Sequence, residues 1–365
     1  MNSSIISLIS GFYWLSIGSE RNLKFNIVFY STLLALPLII LLLSTIYCQG
    51  CPIDQGFYFY LLFSFPSIFV GIAISSFSHF IYERFRYILF ILIWLTMLLG
   101  FIPELYYNPQ IYFFNAIFVY YPGVIYDQNI ELTLKLVYYR SLVLIISLVI
   151  IYVFNRKYNF KGITKLIVII AFISAYLHSY NLKVNLGFST DLEKISDNLK
   201  TVLSSENFDI FLPDSVSDNT IQVALHEHEY YFNSIGSLIG SRPKEKITSL
   251  IFETGARKKQ LFGSGNADVA KPWLNQIYLN LNNYRSNLKH EIAHIFSADF
   301  GKGPLKVPPN INPGIIEGFA MAIENNFDNY DINHLAALAK QNNYKVDLKS
   351  LFTDMSFFSS ASSLS

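Results

Sequence analysis

The sequence predicts an α-helical multi-pass membrane region followed by an α+β domain, and three observations carry that expectation. First, 52% of the 365 residues are hydrophobic and only 15% are charged, with a mean hydropathy of +0.35, too apolar for an ordinary soluble chain. Second, almost all of the excess lies before residue 181. Third, residues 182–365 have the charge and turn residues of a soluble domain, with strand-like and helix-like stretches in alternation. The composition boundary near Tyr180 divides the chain into 1–181 and 182–365. With a net charge of +1 and no basic tract, the chain does not read as a nucleic-acid binder.

Five stretches are long enough to cross a bilayer as helices, which takes roughly 20 apolar residues. They run approximately 26–47, 57–80, 87–105, 137–154 and 163–180. Residues 111–126, "IYFFNAIFVYYPGVIY", are shorter, crowded with Phe and Tyr, and contain Pro122, which fits an interfacial or re-entrant element. Loop charge supports five spans. Arg21 and Lys24 precede the first, Arg84 and Arg86 follow the second, and Arg156, Lys157 and Lys161 follow the fourth, whereas loops 48–56 and 106–131 hold no Lys or Arg. The positive-inside rule then puts the N-terminus in the cytoplasm and residues 182–365 outside it, in a plasma or inner membrane with the bilayer as a partner.

The stretch "SIISLISGFYWLSIG" lacks a charged leading region and a small-residue cleavage site, so it reads as an interfacial helix rather than a signal peptide. Among the spans' few ionisable residues are Lys135 and Arg140, poor support for an ion pathway. Cys48 and Cys51 lie on the non-cytoplasmic side, where a local disulfide or two free thiols both fit.

In the second part, "FDIFLP" (208–213), "KITSLIFE" (246–253) and "NQIYLNL" (275–281) read as strands. Between the first two, the helical spacing starts at Asp218 or Asn219 and stops at Gly240. His226 and His228 in "HEHE" fall on nearly opposite faces of that helix and cannot share an ion. They read as surface or packing residues. The tail "SFFSSASSLS" is serine-rich.

The chemistry concentrates in "LKHEIAHIFSADFG" (288–301). Ser286 is the expected N-cap, and Leu288, Ile292 and Ile295 form one apolar stripe at helical spacing. On that helix His290 and His294 lie about 40° apart in azimuth and one turn apart, so two imidazoles can meet one ion. Glu291 projects about 100° round from His290, beside the ion's bound water. A catalytic zinc needs a third protein ligand. "NINPGIIEGFAMAIE" supplies Glu317, on a helix with Asn312 as N-cap and Pro313 at its first position. Gly318 is expected to let this helix approach the first closely. Glu324 is a weaker alternative ligand, and Asp299 suits the free N–H of a ligand histidine.

With these residues in view, the domain resembles the gluzincin metallopeptidases, the thermolysin-like and aminopeptidase-like zincins, in which H-E-x-x-H is followed on a later helix by a glutamate in a setting such as E-G-x-A. The matching residues are His290, Glu291, His294 and Glu317 in "EGFA", within residues 205–325. The resemblance implies a zincin-like metallopeptidase domain, Zn2+ held by His290, His294 and Glu317, Glu291 as general base, and a peptide or protein substrate. It also implies a substrate-binding edge strand in "AKPWLNQIYLNL", with Asn275, Ile277 and Tyr278 as candidate contacts.

In gluzincins the oxyanion donor usually comes from a helix downstream of the glutamate. Tyr278, Tyr284, Tyr330 and Tyr344 are available, and the chain runs only 48 residues past Glu317. The expectation is therefore either a C-terminally incomplete domain or a donor from elsewhere. An intramembrane protease would carry the motif inside a span, and a prenyl-peptide protease would build spans around it; here the spans all precede it. The alternative reading is a non-catalytic zincin-like domain on a membrane sensor or transporter.

Overall fold

A computed structural model describes residues 2–18, 23–44, 53–123, 132–154, 162–306, 313–327 and 330–344. The chain divides into two compact units, Met1–Asp191 and Leu192–Ser365. Cys48 and Cys51, Arg21, Arg156, Lys157 and Lys161, Asn312 and the serine-rich tail lie outside the described residues.

The first unit contains helices α1 (Asn2–Tyr13), α2 (Leu23–Ser44), α3 (Ile53–Ile81), α4 (Arg86–Leu99) and α5 (Phe101–Tyr107), strands β1 (Phe113–Asn115) and β2 (Val119–Tyr121), and helices α6 (Leu134–Phe154) and α7 (Gly162–Leu182). Among the described residues three helical stretches are long and apolar enough to cross a membrane: Gly56–Ile81, Glu83–Tyr107 and Leu134–Phe154. Three shorter apolar helices cover Ser3–Ser16, Lys24–Ile40 and Gly162–His178. The aromatic stretch 111–126 holds an antiparallel hairpin, with Phe113 opposite Tyr121.

The N-terminal helix is packed rather than solitary. A Cβ on Gly71 would lie 2.1 Å from the Ser7 carbonyl oxygen, and one on Gly11 would lie 2.4 Å from the Phe90 ring, so α1 and α3 meet backbone to backbone. Ser75 Oγ donates to Gly11 O at 2.8 Å, and Trp94 Nε1 donates to Ser7 Oγ at 2.9 Å. Small residues and hydroxyl bonds are how apolar helices associate closely.

Arg140 on α6 is fully buried. Pro66 inside α3 has no N–H, so the Leu62 carbonyl one turn earlier loses its helical donor. Arg140 Nε fills that role at 3.1 Å, while Nη2 donates to Phe63 O at 2.7 Å and to Ser67 Oγ at 3.0 Å. A proline break thus explains an ionisable residue within an apolar helix. Elsewhere in this unit, Lys183 forms an ion pair with the buried Glu104, and Ser189 Oγ accepts from Gln110 Nε2 at 2.8 Å. The chain leaving α7 is therefore tied to the segment that follows α5.

The second unit comprises α8 (Leu192–Leu199), β3 (Thr201–Ser204), β4 (Phe208–Leu212), α9 (Asp218–Ile239), β5 (Ile247–Phe252), α10 (Gly255–Leu261), β6 (Val269–Lys271), β7 (Gln276–Asn280), α11 (Tyr284–Ser297), α12 (Pro313–Glu324), β8 (Asn326–Phe327), β9 (Tyr330–Asp331) and α13 (Ile332–Gln341). Five strands form one sheet in the order β3-β4-β5-β7-β6. The three central strands are parallel, and β3 and β6 run antiparallel at the edges. The parallel strands are apolar runs such as "ITSLIF", as strands covered on both faces require.

Helix α9 begins at Asp218, as the spacing suggests, with Ser217 as its N-cap, whose Oγ accepts from the Thr220 N–H, and it ends at Gly240 with φ 76°, a left-handed position that suits glycine. His226 is exposed and His228 buried. His228 packs under β5, with Nδ1 2.6 Å from Ala224 O and Nε2 2.9 Å from Ser249 Oγ. The core joins Phe208, Ile210, Phe232, Ile251, Ile277 and Leu279 to Leu288, Ile292 and Ile295 of α11.

Candidate metal centre

The apolar stripe on α11 fixes where its polar face points. Leu288 and Ile292 are fully buried and Ile295 nearly so, which locks the helix in rotation and turns His290 and His294 toward α12. The helix starts earlier than Ser286. Asn283 is the N-cap residue, and Ser286 Oγ lies within the first turn, donating to Asn283 O at 2.7 Å. On its other flank, Asn287 Nδ2 donates to Asp268 Oδ2 at 2.8 Å. Asp268 also accepts from Asn280 N at 3.0 Å and forms an ion pair with Lys258, both side chains being essentially buried. This network ties the chain entering β6 to α11.

His290 and His294 bring their Nε2 atoms to 3.1 Å, and a Glu317 carboxylate oxygen lies 3.4 Å from the first and 3.7 Å from the second. The three ligand atoms all fall within 4.8 Å of one another. Two ring nitrogens and a carboxylate oxygen converging in this way fit a zinc ion. Metal–ligand bonds of about 2.0–2.1 Å in a tetrahedron separate neighbouring ligand atoms by roughly 3.3–3.4 Å, and the three observed separations bracket that value. One nitrogen–nitrogen–oxygen set from three side chains is also the donor chemistry of catalytic zinc, which keeps a fourth position for water.

Glu291 is buried between the two histidines in sequence, and its Oε2 has no hydrogen-bond partner among the described residues. Burial pushes its carboxyl up to about 7, against the opposing pull of His294 and His290. Burial works the other way on His290, yet hydrogen bonding to Glu317 and Glu324 outweighs it and holds the imidazole at about 10. The same contacts with His290 and His294 draw Glu317 down to about 2. A half-exposed Glu317 is thus ionised and coupled to both rings.

Several sequence expectations need correction. Glu324 is not gathered with the three ligand atoms; its Oε2 lies 3.0 Å from His290 Nδ1, on the opposite side of the ring from Glu317. Asp299 is exposed and accepts from Ser241 Oγ at 2.6 Å, contacting neither histidine. Among the described residues a Cβ on Gly318 would meet nothing within 4 Å, so close approach to α11 is not the reason for that glycine.

The edge-strand assignment also changes. Pro272 interrupts "AKPWLNQIYLNL" with a 3-10 turn, Pro272–Leu274, and Val269–Lys271 folds back to pair with Gln276–Tyr278. The strand β7 is therefore internal. Ile277 and Tyr278 are fully buried, and Asn275 donates from Nδ2 to Glu245 Oε2 at 2.9 Å. The outer strand packed against α11 is β6.

The tyrosines divide. Tyr278 stacks on Phe262 at 3.9 Å and donates its hydroxyl to Gln276, Tyr284 donates to Glu227 at 3.0 Å, and Tyr330 and Tyr344 are exposed. Sequence reasoning missed the Lys258–Asp268–Asn287 network and the placement of Glu324. A buried Lys–Asp pair ten residues apart leaves no periodic signal, and the His290–Glu324 contact spans 34 residues. Comparison of the chain with known protein families, curated proteins and solved structures finds no match.

Proposed function

We propose that the chain is a membrane-anchored zinc metallopeptidase of gluzincin type. The observation carrying this reading is the convergence of His290, His294 and Glu317 within 4.8 Å beside the buried, unpartnered carboxylate oxygen of Glu291. When bound, zinc supplies a Lewis acid and lowers the pKa of a coordinated water toward about 7. The rest of the work falls to the chain. With the metal bound, His290 and His294 would each offer an Nε2 lone pair, the metal displacing the proton that Glu317 and Glu324 favour on His290 in its absence, and Glu317 would supply negative charge. For Glu291, burial favours the protonated carboxyl and a bound dication would favour the carboxylate, so the group can take up a proton and give it back. It accepts the attacking water's proton at Oε2 and delivers it to the departing amine nitrogen. An extended peptide adds to the outer edge of β6 through main-chain hydrogen bonds.

The first unit anchors this domain in the bilayer. Five spans are read in it, formed by α2, by α3, by α4 together with α5, by α6 and by α7, and loop charge argues for a cytoplasmic N-terminus and an extracytoplasmic peptidase unit. A second reading, a non-catalytic zincin-like domain, is favoured by one observation: Tyr278 and Tyr284, two of the tyrosines considered as oxyanion donors, already spend their hydroxyls on Gln276 and Glu227.

Peptide-library hydrolysis by the full-length protein and Glu291→Gln separates the two readings. The peptidase reading expects cleavage by the wild type, lost in the variant while zinc is kept. No cleavage by a zinc-loaded wild type supports the second reading, and cleavage that persists in Glu291→Gln rules out the proton route.

A further inference from the structure

We propose that Glu324 is the positioning residue of this centre, accepting the Nδ1–H of His290 and so holding that ring's Nε2 toward Glu317 and His294. The inference rests on the reading of those three residues as a metal site.

The two nitrogens of His290 face two different carboxylates. Nδ1 lies 3.0 Å from Glu324 Oε2, whereas Nε2 lies 3.4 Å from Glu317 Oε2 and 3.1 Å from His294 Nε2. A neutral imidazole has one N–H and one lone pair. With the carboxylate of Glu324 accepting at Nδ1, the proton kept by His290 on binding a metal is the one at Nδ1, and Nε2, the atom that faces the centre, supplies the lone pair. The partner of the far nitrogen decides which one can ligate.

Both carboxylates come from one rigid element. Glu317 and Glu324 are seven residues apart on α12, which in an α-helix is about 700° of rotation and brings both to nearly the same face. They grip opposite sides of one imidazole, so the docking of a single helix sets the ligand and the ligand's orientation together. Lys289, the neighbour of His290, donates from Nζ to the backbone oxygen of Glu324 at 3.5 Å and adds a second link at the same point. A purely helical role does not account for Glu324. It is the last residue of α12, at the negative end of the helix dipole, where a carboxylate is disfavoured. Its side chain is nevertheless largely covered, with 21% exposed, while that of Glu317 is 51% exposed.

The test uses full-length protein in detergent, stripped with a chelator and titrated with zinc in competition with an indicator, and with cobalt read by its absorption bands. Glu324→Ala is expected to weaken zinc binding by about 10- to 100-fold, the usual effect of removing an orienting partner, and to change the cobalt spectrum. Glu324→Gln, whose amide oxygen can still accept from Nδ1, is expected to recover part of the loss, and Asp299→Asn to bind like the wild type. Circular dichroism and gel filtration check that each variant is folded; if Glu324→Ala fails that check, Glu324→Gln against wild type decides, with a weaker affinity and altered spectrum expected.

If the wild type binds no zinc, or binds it equally with Glu317→Gln, the metal-site reading fails. If zinc binding depends on Glu317 but the folded Glu324 variants match the wild type in affinity and spectrum, the metal site stands and the positioning role is overturned.

Discussion

Burial of His228 makes a quantitative prediction about the scaffold beneath the centre. The imidazole is fully buried between Ala224 O and Ser249 Oγ, and burial lowers its pKa from 6.5 to about 4. Between these values the unfolded chain binds a proton that the folded chain refuses. The stabilisation is therefore complete above pH 6.5 and is lost as pH falls toward 4. At about 1.4 kcal/mol per unit, the loss is roughly 2 kcal/mol at pH 5 and about 3 kcal/mol below pH 4. Hydrogen exchange of α9 and β5 amides in the full-length protein, corrected for intrinsic rates, reads it locally.

Glu291, whose carboxyl is raised to about 7, contributes with the opposite sign. For that reason the comparison is with His228→Asn, in which every other group is retained. The wild type is expected to lose about 2 kcal/mol more protection than the variant between pH 7.5 and pH 5, roughly 30-fold in opening. Identical pH profiles for the two proteins would refute the reasoning.

Other perturbations have equally definite outcomes. Lys258→Met leaves Asp268 as a buried carboxylate without its cation and is expected to cost about 3–5 kcal/mol, with much of that recovered in Lys258→Met/Asp268→Asn; thermal melting of both variants checks it. Gly71→Ala places a Cβ 2.1 Å from the Ser7 carbonyl oxygen, so α1 must shift at a cost of about 1–3 kcal/mol, seen as a lower melting temperature in detergent. Gly318→Ala meets no atom of the described residues within 4 Å and, as a helix-interior change, is expected to stabilise α12 by up to about 1 kcal/mol. A drop in melting temperature for Gly318→Ala would show that its backbone freedom is needed after all.

What the sequence disclosed follows the range of the interactions involved. The motif helix was legible because Leu288, Ile292 and Ile295 set its phase, and that phase places His290 and His294 on one face. Pro313 marked the start of the helix that brings Glu317. The three parallel strands were legible as apolar runs. The edge strand β6 was not, because three residues, Val269–Lys271, cut off by Pro272 hold too little pattern to separate them from β7. Once β6 covers that edge, Asn275, Ile277 and Tyr278 become interior residues. Gly318 misled through the general association of glycine with close packing, whereas its Cβ direction faces open space. In the first unit the packing of α1 was hidden for a similar reason, since serines that look polar in sequence satisfy themselves on backbone oxygens, as Ser10 does on Ile68 at 3.2 Å. Arg140 became intelligible only with Pro66, 74 residues away in the chain.

The most direct test of the central claim is metal analysis of the purified full-length protein. About one zinc per chain is expected in the wild type and in Glu291→Gln, and zinc is expected to be lost in His294→Ala and Glu317→Gln. A wild type free of zinc after loading, or zinc retained undiminished in His294→Ala, would contradict the account.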